Sequence, residues 1–176
     1  MTQPYVLQRL SQRAWWVQSF NYGTVFYLGE RGVLIFDTLE GVYDNIVKAV
    51  ASVTDKPITA AIYPHYHADH IGDIGKYVDA AKRRGIELDI IASRKTRASM
   101  DLAKSSFPRP TRELAWPRDS FDFEGQTVEL LRFRVCIPRR HERVRDREDC
   151  DDVLQHSGHR AIRCSRPRRV RRRDPG

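Results

Sequence analysis

Apolar residues fall in short, regularly spaced runs through the first three quarters of the chain and then nearly vanish. Trp15 to Phe20 predicts a strand, Asn21-Tyr22-Gly23 a turn, and Thr24 to Leu28 a second strand rich in β-branched and aromatic residues. Glu30-Arg31-Gly32 turns the chain into Val33-Leu34-Ile35-Phe36, a continuous apolar run that predicts a strand buried on both faces and ending at Asp37. Val42, Ile46, Val47, Val50 and Val53 then recur at helical spacing, predicting a helix over Gly41 to Val53 that Asp55-Lys56-Pro57 stops. Ile58 to Tyr63 is a further apolar strand. Ile71 to Arg84 predicts a second helix closed by Gly85, and Leu88 to Ala92 a strand. Ser93 is placed to cap a third helix reaching about Lys104. Pro108 and Pro110 mark a loop, after which Phe121–Phe123 and Thr127–Phe133 predict a hairpin about Glu124-Gly125-Gln126. Strands come first and strand–helix alternation follows. That order predicts an α/β layer, a sheet with helices on its outer face. There is no internal repeat.

Composition divides the chain in two. All aromatic residues lie at or before Phe133, and all three cysteines (Cys136, Cys150, Cys164) lie after it. From Arg134 onward there are 14 Arg and no Lys against 7 acidic residues, whereas residues 1–133 carry 17 basic and 16 acidic residues. The net charge of +8 therefore belongs almost wholly to the C-terminal segment. Residues 1–133 are expected to form a globular domain. Residues 134–176 form an Arg-rich tail with little from which to build a core, and composition predicts disorder there. No apolar run approaches the roughly 18 residues of a membrane span, and the N-terminus has no secretory h-region, so a cytoplasmic protein is expected. Three cysteines in a polar tail do not suggest a disulfide framework.

The chemistry concentrates in His65-Tyr66-His67-Ala68-Asp69-His70, which holds three of the six histidines. The stretch directly follows an apolar strand and precedes a helix, the kind of switch where ligand sites gather. His65 and His67 are two apart, so on extended backbone their rings project to the same side. Asp69 and His70 follow on a different vector as the chain turns. Imidazole with carboxylate suits zinc, with iron or manganese as alternatives, and four ligands in six residues fit two neighbouring ions better than one. Asp37 has two readings: a strand-end turn residue, or a brace for the histidine loop. Gly72 is read as permitting close packing, and Asp73 as favouring the N-terminal end of its helix. Trp15-Trp16 and Trp116 are read either as core or as flanks of a substrate pocket. Lys82-Arg83-Arg84 is read as a solvated helix end.

His65-x-His67-x-Asp69-His70 followed by Ile71-Gly72-Asp73 resembles the signature of the metallo-β-lactamase superfamily. Gly23–Leu28 and Val33–Thr38 are similar to that family's paired early strands, with Asp37 at the acidic position that closes them. The likeness covers about residues 15–133, roughly the N-terminal half of such a fold. It implies an αβ/βα sandwich with the metals between two sheets. It also implies that His65 and His67 serve one metal and that Asp69 and His70 serve the other. The implied activity is hydrolysis by a metal-activated water that Asp69 orients. The expected cofactor is zinc, two ions per complete site, and the expected partner is a small-molecule substrate. The bonds in scope are ester, thioester, amide, sulfate and phosphate. Nothing in the sequence decides the oligomeric state.

The family also uses a third histidine, a bridging carboxylate and a last histidine from the later half. After Thr127–Phe133 the nearest histidine is His141, and its surroundings do not resemble the family's next motif. The abrupt change at Phe133/Arg134 reads most simply as a shifted reading frame in a GC-rich gene, since such frames over-produce Arg and Pro. The alternative function is therefore a non-catalytic product with at most weak metal or anion binding. A zinc module from Cys136, Cys150, His156, His159 and Cys164 has the wrong ligand spacing. Specific nucleic-acid binding is not expected, because no aromatics interleave the arginines to stack bases.

Overall fold

The computed structural model describes residues 4–131. The Arg-rich segment 134–176, with its cysteines, His141, His156 and His159, lies outside the described residues, as does the proposed boundary at Phe133/Arg134. The described strands are β1 (Val6–Arg9), β2 (Ala14–Ser19), β3 (Tyr22–Leu28), β4 (Val33–Phe36), β5 (Ile58–Tyr63), β6 (Asp89–Ser93), β7 (Arg112–Leu114), β8 (Arg118–Phe123) and β9 (Gln126–Leu131). The helices are α1 (Tyr43–Ala51), α2 (Ala68–Ile71), α3 (Ile74–Lys82) and α4 (Arg94–Leu102). Strands β1 to β7 form one sheet in sequence order, and β8 pairs with β9 in a second. Neighbours from β1 to β4 are antiparallel and joined by tight turns. From β4 to β7 the neighbours are parallel, and parallel neighbours need crossovers, which the helices supply.

The central strands are apolar throughout because both faces of the large sheet are covered. Alternate residues point to opposite sides. Val33, Ile35, Ala61, Tyr63 and Ala92 meet the helix layer, where Ile46, Val50, Ile74, Tyr77 and Met100 pack against them. Leu34, Phe36, Ala60, Ile62 and Ile91 face the other way, onto Phe121, Phe123, Val128 and Leu130 of the small sheet. All four β4 side chains are buried, each worth about 1.5–3 kcal/mol by removal from water. The layers thus run helices, mixed sheet, second sheet, which is the expected α/β sandwich as far as the described residues extend.

Four local differences from expectation have physical causes. The helix expected over Ile71 to Arg84 is two helices, α2 and α3, broken at Gly72-Asp73, where Asp73 bonds a neighbouring segment instead of continuing the turn. The helix expected from Gly41 begins at Tyr43, because Gly41 has φ +77° and lies outside helical backbone. Strand β1 was not expected, since its residues are mostly exposed and give no alternation. Strand β7 was not expected either, since of its three residues only Leu114 is buried. Ser93 does cap α4, its Oγ accepting from Thr96 N–H at 3.0 Å. Among the described residues no helix is long and apolar enough to cross a membrane.

Candidate metal centre

The parallel strands β4, β5, β6 and β7 all finish at one edge of the large sheet. They deliver there, in sheet order, Asp37, the stretch from His65 to His70, Ser93 to Lys95, and Trp116. Ligand sites in α/β sheets gather outside the carboxyl ends of the strands. Here the chain leaves β5 at Tyr63 and takes four residues, Pro64 to His67, before α2 begins.

Those residues are gathered, not splayed. The His65 ring lies 4.2 Å from that of His70 and 4.8 Å from that of His67, centroid to centroid. Donor atoms of His65, Asp69 and His70 all lie within 4.8 Å of one another, and the three side chains are half-buried. His67 is the helix-capping residue of α2 in extended backbone, φ −72° and ψ 146°. Its side chain is exposed, it packs edge-on to Tyr66 at 4.6 Å, and it stands outside that group of three.

His70 lies between two carboxylates. Its Nε2 is 3.5 Å from Asp69 Oδ2, and its Nδ1 is 3.4 Å from Asp37 Oδ1. A carboxylate beside Nδ1 suits an imidazole that offers Nε2 to a metal. Asp37 fills both roles read from the sequence. It turns the chain out of β4 with φ +54°, a conformation Asp tolerates better than bulkier residues, and it faces His70. Backbone bonds hold that turn. Asp37 N–H donates to Ile62 O at 3.2 Å, and Thr24 Oγ1 donates to Phe36 O. Glu40 N–H donates to Asp69 O at 3.1 Å, fastening the turn to the histidine loop.

This donor set fits a divalent cation. Two imidazoles and a carboxylate are borderline-soft ligands suited to zinc-class metals. Donors on one zinc, each at roughly 2.0–2.1 Å, lie at most about 4.2 Å apart, and the observed spread of 4.8 Å is slightly wider than a single ion spans. Asp37 supplies the outer carboxylate that such histidines carry on their second nitrogen.

The tryptophans separate. Trp15 stacks flat on Phe26, centroids 5.6 Å apart, and packs on the helix-side core. Trp16 lies over Gly23, where a β-carbon would come within 2.7 Å of its Nε1. Trp116 follows β7 at the same edge as the histidines, with Lys95 Nζ 5.3 Å from its ring centroid. Asp73 stands at the N-terminal end of α3, and sequence reasoning missed the partner its side chain takes. It is 5 % exposed and makes no side-chain cap to its own helix. Its Oδ2 instead accepts from Tyr43 N–H at 3.0 Å. No local signal marks that partner, which lies 30 residues earlier in the chain.

No curated protein matches the chain. Solved structures do. A metallo-beta-lactamase from Pontibacter korlensis is similar at 16 % identity and TM-score 0.55, over 73 % of this chain and 60 % of that one. The metallo-beta-lactamase IND-7 is similar at 15 % identity and TM-score 0.57, over 74 % and 61 %. The DIM-1 metallo-beta-lactamase follows at 11 % identity and TM-score 0.53, over 72 % and 57 %. At these identities the likeness is one of fold, and the chain spans about three-fifths of the length of the structures it matches. Residues 19–141, well over half the chain, match the Metallo-beta-lactamase superfamily, and that span takes in the whole histidine loop with the turn that braces it. Fold, motif and loop geometry converge, and the chain belongs to the metallo-β-lactamase superfamily.

Proposed function

We propose that this chain carries the N-terminal donor set of a metallo-hydrolase, with zinc as the metal and two ions in the complete site. It acts on a small molecule in the cytosol, breaking an ester, thioester, amide, sulfate or phosphate bond. The observation that carries this is the gathering of His65, Asp69 and His70, with Asp37 behind His70. His65 and His67 would hold one ion, Asp69 and His70 the other. A bound zinc supplies a water acidified to a pKa of roughly 7 and a Lewis acid for the scissile oxygen. Asp69 would serve both as a ligand and as the hydrogen-bond acceptor that orients the attacking water. Asp37, beside Nδ1 of His70, would keep the proton on that nitrogen once Nε2 is given to the metal.

A second reading is a non-catalytic chain with at most weak metal or anion binding. Two observations favour it: the grouped donors among the described residues are three, and the family match ends at residue 141, close to the compositional change at Arg134. Metal content with turnover separates the two. The hydrolase reading expects about two zinc ions per chain and cleavage of a generic aryl ester that a chelator abolishes. One weakly held ion, or none, without turnover supports the second reading. Translating the coding DNA beyond codon 133 in its other two frames tests the frame-shift account, which fails if neither yields a histidine-bearing strand–helix pattern.

A further inference from the structure

Asp73 begins the turn into α3, where an Asp side chain ordinarily accepts an N–H of its own first turn. Here it makes no such bond. Its Oδ2 accepts the N–H of Tyr43, the first residue of α1, at 3.0 Å. Lys76 Nζ sits 2.8 Å from its Oδ1, and its own N–H donates to Thr38 O at 3.0 Å. A buried carboxylate is tolerated when its oxygens are paired in this way. Val42, at the cap position of α1, also makes no side-chain cap, so Asp73 supplies from another segment the cap that α1 lacks.

These bonds join two stretches that otherwise leave separate strands. The segment 38–43 follows β4, and the loop 64–73 follows β5. Between the bonds the two are in van der Waals contact. A β-carbon on Gly72 would lie 2.8 Å from Glu40 Cβ and 2.5 Å from Ala68 O. The same pair of segments carries the two contacts on the donors themselves, Glu40 N–H to Asp69 O and Asp37 to His70.

We infer that Asp73 is a positioning residue for Asp69 and His70: by capping α1 from the histidine loop, it locks the 38–43 segment against that loop and so fixes the two contacts that aim these donors. The consequence for metal affinity rests on the function proposed above, but the locking of the two segments does not.

The test compares the full-length wild-type chain with D73A and D73N. Asparagine keeps an acceptor for Tyr43 N–H, and alanine does not. Amide hydrogen exchange reads the clasp without metal. In D73A the N–H groups of Glu40 and Tyr43 should exchange about tenfold faster or more, while Ala61 in the middle of β5 keeps its wild-type rate. Zinc affinity, by chelator competition, should fall by about tenfold, the scale of losing an outer-shell partner, and the visible spectrum of the cobalt-loaded chain should shift. D73N should return each readout most of the way to wild type. Unchanged exchange at Glu40 in D73A, a uniform acceleration that includes Ala61, or damage in D73N equal to that in D73A would each overturn the inference. If D73A does not fold, D73S, too short to reach Tyr43, takes its place. A wild-type chain that binds no zinc sinks the proposed function, and the exchange arm still decides the clasp.

Discussion

Two parallel strands of the same sheet pass into helices side by side, and they do so very differently. Strand β6 enters α4 at once: Ser93 ends the strand and its Oγ caps the helix through Thr96 N–H. Strand β5 takes four residues to reach α2, opens it at His67 with no side-chain cap, and breaks the helix again at Gly72-Asp73. The first junction satisfies its own backbone with the shortest available device. The second has no such cap and is tied instead to its neighbour, Glu40 N–H donating to Asp69 O and Asp73 of the loop accepting Tyr43 N–H of α1. The side chains of His65, Asp69 and His70 gather there. One junction closes locally through its own serine, and the other is held across to the segment that follows β4.

The largest expected effect separates the junctions outright. H70A should cut zinc affinity by more than about 100-fold, beyond the usual loss for an outer-shell partner. It should cost less thermal stability than the cap mutant below, as chelator competition beside a melting curve would show. A loss of affinity no greater than tenfold would remove His70 from the donor set.

G72A comes next, because it forces the bracing segment off the histidine loop. Its β-carbon would meet Ala68 O at 2.5 Å and the Glu40 side chain at 2.8 Å. Overpacking of this kind typically costs about 1–3 kcal/mol, read by urea denaturation, and zinc affinity should fall with it. The opposite pattern is expected at the plain junction. S93A should cost about 1 kcal/mol, the ordinary worth of an N-cap, and leave zinc affinity unchanged.

The smallest effect concerns the next strand end along the same edge. Asp119 accepts Ala115 N–H at 2.6 Å and Ser120 N–H at 2.8 Å, and these backbone bonds hold its carboxyl below the ordinary carboxylate range. Its folded pKa is lowered, so its contribution is complete above the unfolded value and is lost as pH falls through the folded one. Acid titration of D119N against wild type should therefore show curves that differ at neutral pH and converge at low pH. Because the group lies at the surface, the gap should be smaller than that produced by S93A.

Much of this was written locally. The alternation of apolar runs with helical spacing foretold β2 to β6, the terminal hairpin and the layered α/β class, since burial of a face is recorded residue by residue. The six residues from His65 to His70 announced a candidate metal site because the donor types stand together in the chain. Strands β1 and β7 left no such record, one lying exposed at an edge and the other held by a single buried leucine.

What the amino-acid order settled by itself was therefore which segments are apolar, where the donors sit and which family they resemble. Tertiary structure alone decided that Asp37 stands behind His70, that His67 stays exposed outside the group of three, and that Asp73 serves α1 in place of its own helix. The reason is physical. Periodicity and residue chemistry act between near neighbours, whereas a carboxylate chooses among every donor that the fold brings within about 3 Å of it, and that choice exists only once β4 and β5 lie side by side.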